Sequence, residues 1–113
     1  MTRYLISFDE GAMTFPEEET PAVTDAAHAV LEEAKDAGVW VTAGGLKDPE
    51  QVSVVATDGT VTDGPNPEKN AYLGGFLIID VPSREQALEW AGRFAVVCRC
   101  AQEVREILYD PLV

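Results

Sequence analysis

The stretch Leu73-Gly74-Gly75-Phe76-Leu77-Ile78-Ile79-Asp80-Val81 is apolar on both of its faces, and it constrains the fold more than any other feature of the chain. Alternation puts Phe76 and Ile78 on one side and Leu77, Ile79 and Val81 on the other. Such a segment reads as a central strand that needs cover above and below. Gly74-Gly75 inside it predicts a bulge or the close approach of another group, and Gly64 and Gly75 are expected to hold backbone conformations that other residues resist.

The segments around it supply two helices and several shorter strands. Tyr4, Ile6 and Phe8 alternate with Leu5 and Ser7, the pattern of a strand with one strongly apolar face. Thr20-Pro21 offers an N-cap followed by proline at the first helical position, and Val23, Ala26, Ala27, Val30, Leu31 and Ala34 recur at helical spacing until Gly38. Val39 to Ala43 reads as a strand ended by Gly44-Gly45. Val52 to Thr57 and Thr60 to Thr62 form a hairpin about a two-residue Asp58-Gly59 turn, followed by the stiff loop Asp63-Gly64-Pro65-Asn66-Pro67. Ser83 with Gln86 caps a second helix whose apolar stripe is Ala87, Leu88, Ala91, Phe94 and Ala95. A last strand is expected over about Glu103 to Tyr109.

This order predicts one α+β domain over residues 1–113, a ferredoxin-like split βαβ with an added hairpin. Two helices cover only one face of such a sheet. A second copy of the sheet is the simplest cover for the other face, which gives a homodimer of two half-barrels, a dimeric α/β barrel, around a central cavity.

Charge excludes some functions. Eight Lys and Arg stand against 20 Asp and Glu, a net charge of −12, and the cations are scattered along the chain. Nucleic-acid phosphates are repelled by such a field, so no direct nucleic-acid binding is expected. No apolar run approaches the roughly 20 residues of a membrane helix. The N-terminus lacks the apolar segment of a secretory signal, so the expectation is a cytoplasmic protein with no membrane partner. Cys98 and Cys100, two apart and with only His28 beside them in the inventory, read as reduced thiols and not as a metal site.

His28 is the one side chain that titrates near neutral pH without help. It lies off the apolar stripe of the first helix, within reach of Asp25 and Glu32. It is either a surface histidine or a general acid, base or anion anchor. Asp63 either orders the turn that follows it or presents a second acid–base carboxylate, with Gly64 and Pro65 shaping the ligand-facing loop. Trp40, Phe76 and Tyr72 are either core or the wall of an apolar cavity. A phosphate-binding glycine loop, a dinucleotide fingerprint, a nucleophile elbow and a metal cluster are all missing from the sequence. If the protein is an enzyme, proton transfer on a small organic molecule in a dry cavity, with no cofactor, is the chemistry these residue types leave.

Val61-Thr62-Asp63-Gly64-Pro65, followed by Leu73-Gly74-Gly75-Phe76, resembles the signature of the DGPF proteins, which are grouped with YCII-related domains. His28-Ala29-Val30-Leu31, Gly38 and Gly44-Gly45-Leu46 are similar to that family's histidine-bearing helix and next strand, and Ala87-Leu88-Glu89-Trp90-Ala91 to its second helix. The resemblance spans essentially the whole chain. It implies a dimeric α/β barrel, a histidine and an aspartate as hints of activity, and a link to sigma factors through gene fusion. The phenylalanine of the signature is Asn66 here, its lysine and glutamate fall at Asn70 and Ala71, and Phe94-Ala95 replaces the Asp-Pro that follows the second helix. Two readings follow. One is a dimeric enzyme or binder of a small organic ligand using His28 and Asp63, and the other is a non-catalytic partner protein of a sigma factor.

Overall fold

The computed structural model describes residues 1–66, 68, 69 and 71–113, so the readings placed on Pro67 and Asn70 lie outside the described residues. The elements are β1 (Thr2–Asp9), α1 (Thr20–Asp36), β2 (Trp40–Gly45), β3 (Ser53–Val55), β4 (Val61–Asp63), β5 (Leu73–Val81), α2 (Arg84–Cys98) and β6 (Glu103–Glu106). Four strands form one antiparallel sheet in the order β2-β5-β1-β6, while β3 and β4 form a separate ribbon. This is the α+β, ferredoxin-like arrangement with an inserted hairpin.

Register separates the two faces. Tyr4 pairs with Ile79, Ile6 with Leu77 and Phe8 with Gly75, so these residues share the face against which the helices pack. Tyr4, Ile6, Leu77, Ile79 and Val81 are buried there, together with Val30 and Ala34 of α1 and Ala87, Ala91 and Phe94 of α2. Trp40 joins this side, its ring centroid 6.4 Å from that of Phe94. The alternate residues Leu5, Phe76 and Ile78 point to the opposite face, where no helix lies, and each is half-buried.

The helix ends follow from local chemistry. Gly38, at φ +75°, closes α1: its amide donates to Lys35 O at 3.0 Å, and the Val39 amide donates to Ala34 O at 3.1 Å. These two bonds satisfy carbonyls that a helix terminus leaves open, and glycine takes the positive φ without penalty. Ser83 caps α2, its hydroxyl accepting from the Gln86 amide at 3.2 Å. Arg99 ends that helix in the left-handed region at φ 58°, an uncommon choice for a residue with a Cβ. Its guanidinium ties down the segment that leads into α1, 2.7 Å from Glu19 and over the ring of Phe15.

Several boundaries differ from expectation. Thr20 is not an N-cap. A 3₁₀ turn at Glu17–Glu19 runs directly into α1, so Thr20 already has helical dihedrals. β2 begins at Trp40 and continues through Gly44 and Gly45. The hairpin loop holds three residues, because the Ala56 amide donates to Thr60 O and the Gly59 amide to Ala56 O, with Gly59 at φ +90°. That is a type I turn closed by a left-handed glycine, which adds Thr57 to the loop. β6 stops at Glu106, after which the Ile107 amide donates to Arg3 O and the tail leaves the sheet. Leu88 lies at the rim of the core, 39% exposed.

Both readings of Gly74-Gly75 are present in the structure. Register shifts between Phe8 and Asp9, the partners of Gly75 and Leu73. A Cβ on Gly74 would lie 2.9 Å from the Glu10 amide nitrogen, and one on Gly75 would lie 2.6 Å from Phe8 Cζ. Gly64 does hold a positive φ, +95°, but Gly75 does not; proximity, not dihedral strain, is what requires glycine there.

The chain is thin for its mass. Its extents are 44 × 43 × 19 Å and its radius of gyration is 15.9 Å, against about 13 Å for a compact domain near this length. The accessible surface is 7790 Å². A folded monomer of 12.2 kDa ordinarily exposes about 6,100 Å².

Candidate functional site

The helix-free face of the sheet carries a cavity of about 640 Å³. Its sheet wall is Arg3, Ile78 and Asp80, all of the open-face parity, and the tail supplies Ile107, Leu108 and Tyr109. Arg3 and Asp80 are cross-strand partners in β1 and β5. The tail forms a wall because β6 ends at Glu106 and the chain then turns across the open face, its final turn capped by Asp110 accepting from the Leu112 amide at 2.9 Å.

Asp80 is the unusual group of this site. Its Oδ1 is withdrawn from solvent and has no hydrogen-bond partner among the described residues. A buried acceptor left unmade is disfavoured by about 1–3 kcal/mol, and by more when charged. Buried polar atoms otherwise find partners as a rule. Asp80 is not among the residues singled out from sequence, although it is a carboxylate inside a strand that is apolar on both faces.

A second, smaller recess of about 280 Å³ opens on the helix side between Phe8, Met13, Ala43, Phe94 and Cys98. Burial pushes the Cys98 thiol above its ordinary range, with the neighbouring Cys100 adding to the effect. Burial also raises Cys100, against the opposing hydrogen bond from Gln102 at 3.4 Å. Both are free thiols, held in their less reactive form. Among the described residues, no group of three or more His, Cys, Asp and Glu gathers to hold a metal, and no helix is long and apolar enough to cross a membrane.

The residues singled out from sequence are dispersed over the single chain. His28 is exposed on α1 and lines none of these recesses. Asp63, at the end of β4, accepts from the Ser53 hydroxyl at 2.5 Å across the ribbon. Gly64 donates its amide to Val52 O at 2.8 Å, and Pro65 is exposed beside it. Tyr72 holds this loop, its hydroxyl accepting from the Asn66 amide at 2.7 Å, and it lines a third recess with Leu46 and Val52. Trp40 and Phe76 lie on opposite faces: Trp40 belongs with the core, while Phe76 is on the open face beside Gly44.

The profile of the YCII-related domain matches residues 2–109 of the 113. The chain belongs to the YCII-related domain family. A search of curated proteins returns no match. The YCII match runs from β1 through the strand that bears Asp80 and on to Tyr109, so the sheet wall of the open-face cavity and Ile107 to Tyr109 lie within the family's domain, while Met1, Asp110 and Val113 of its lining lie outside.

Proposed function

We infer that this YCII-related protein is a homodimer that binds a small organic molecule between the open faces of its two sheets, with Asp80 as the polar anchor. The observation that carries this reading is the cavity of about 640 Å³ on the uncovered face, with the unpartnered Asp80 carboxylate in its wall. Ligand sites ordinarily occupy about 300–1,000 Å³ and combine apolar walls with a few placed polar groups. The thin slab, the half-buried Leu5, Phe76 and Ile78, and an accessible surface above that of a compact monomer all favour cover by a second copy.

Proton transfer without a cofactor is the chemistry proposed for such a site. Asp80 is the group in place for it within one chain. His28 and Asp63 join it as an acid–base pair only if the second copy brings them together, because the single chain places them on α1 and on the ribbon. A purely structural partner protein, tied to sigma-factor-dependent transcription, calls for a flat acidic face, and a recessed face with the half-buried Asp80 in its wall supports the ligand-binding reading over that one.

Native mass spectrometry of freshly purified protein tests the inference. The expected result is a species of twice 12.2 kDa carrying extra mass that is lost on mild unfolding. A single-chain species with no added mass defeats it.

A further inference from the structure

Two apolar features stand uncovered at opposite ends of the main sheet. The strand ends Asp9, Gly45, Leu73 and Glu103 lie together at one end, and Thr2, Trp40, Val81 and Glu106 at the other. At the first end Leu46, Val52, Tyr72 and Leu73 line a recess of about 240 Å³, with Leu46 and Leu73 both exposed. The Leu46 amide donates to Gly74 O at 2.9 Å, which continues the β2–β5 ladder and gives Leu46 the open-face parity of Gly44. At the second end the tail leaves the sheet after Glu106, and Leu108, Tyr109, Leu112 and Val113 stand almost wholly exposed. Leu108, Tyr109 and Val113 line the open-face cavity of their own chain, but Leu112 lies outside that lining. Apolar side chains scattered singly over a surface are ordinary, whereas four within six residues mark an interface.

Area points to a second copy as the cover. The accessible surface of 7790 Å² exceeds that of an ordinary monomer of this mass by about 1,700 Å². Two copies therefore hold an excess of about 3,400 Å², within the roughly 2,000–5,000 Å² that obligate dimers bury.

Symmetry then separates two arrangements of stacked open faces. A two-fold axis parallel to the strands lays like ends together, tail on tail and recess on recess. An axis across the strands lays unlike ends together, so each tail meets an apolar recess and the same contact is made twice. Resting on the dimeric reading above, we propose the second arrangement, in which the tail of each copy seats Leu112 against the partner's Leu46 and the partner's Leu73. The open-face cavity lies at the Thr2 and Val81 end, away from such an axis. Each cavity is then closed by the partner's Leu46 end, and the dimer holds two ligand sites in place of one shared on the axis.

Isotope-filtered NOE spectroscopy on mixed dimers of ¹³C-methyl-labelled and unlabelled protein reads the contact directly. Intermolecular NOEs are expected between Leu112 and either Leu46 or Leu73. NOEs that join Leu46 to the partner's Leu46, or none between the two ends, overturn the arrangement and leave a ligand-binding dimer standing. Unlike-end NOEs in a dimer that retains no ligand support the arrangement and remove the ligand. Sedimentation supplies a second measurement. Leu112→Asp is expected to weaken dimerisation by about tenfold or more, because the seat offers a carboxylate no partner. Val96→Asp, at an exposed apolar position on α2, is expected to leave dimerisation unchanged. Equal effects of the two variants, or none from Leu112→Asp, count against the proposal. A parent protein that sediments only as a single chain defeats both the arrangement and the dimeric reading on which it rests.

Discussion

Phe8 closes over Gly75 so tightly that a Cβ on the glycine would stand 2.6 Å from Cζ of the ring. The pair are register partners in β1 and β5, on the helix-covered side of the sheet. Gly75→Ala should therefore destabilise the protein by about 1–3 kcal/mol, the usual range for overpacking. Pairing it with Phe8→Leu should recover part of that loss. Chemical denaturation of the two single variants and the double variant measures the coupling, and additive losses would show that the ring is not what excludes the methyl group.

Gly64 poses the opposite problem, since open space surrounds its Cα but φ is +95°. Gly64→Val should cost about 1–3 kcal/mol through backbone strain alone. Gly64→Asn should cost less, because asparagine enters positive φ more readily. Equal melting temperatures for the two variants would contradict this account.

Asp58 gives the hairpin turn a pH dependence. Hydrogen bonding from the Thr60 amide holds its carboxyl below the ordinary value of 3.8, with burial a lesser, opposing influence. A carboxyl with a lowered folded-state pKa stabilises the fold above its unfolded-state value, and the contribution disappears as pH falls through the folded-state value. The Thr60 amide resonance, followed by NMR from neutral pH downward, should titrate with its midpoint below 3.8. A transition centred above 3.8 would refute the bond.

His28→Ala should leave stability within about 0.5 kcal/mol of the parent, as is usual for exposed positions away from caps and cores. If the second copy brings His28 to the ligand, the same variant should lose retained ligand in native mass spectrometry. Unaltered ligand retention would remove His28 from the site and leave Asp80 as its acidic group.

The fold was legible because its signals are local. The nine-residue strand Leu73–Val81, the Ser83 cap and the Gly38 terminator each act through neighbours a few residues away, and each appears where sequence places it. Boundaries set by tertiary context were harder to read. Apolar alternation through Leu108 and Tyr109 reads as strand, but β6 has only β1 beside it and the tail turns away after Glu106. The candidate site was less legible still. Attention to titrating residues and to the family signature led to His28 and Asp63, both exposed in the single chain. Asp80 stands in the sequence as a carboxylate inside an apolar strand, but the recess around it takes shape only when Arg3, 77 residues before it, and the tail from Ile107, 27 residues after it, are brought together.

The β3–β4 ribbon shares no strand ladder with the main sheet among the described residues, and Val54, Val55 and Val61 on it remain 49%, 66% and 58% exposed. Hydrogen bonds with so little burial behind them open without the rest of the molecule. Amide exchange at Val54 and Thr62 should therefore report a small local opening free energy, while Ile6 and Ile79 exchange only through global unfolding. That exchange pattern would mark two cooperative units, and a stability measured for the sheet and helices would then say nothing about the strength with which this ribbon is held.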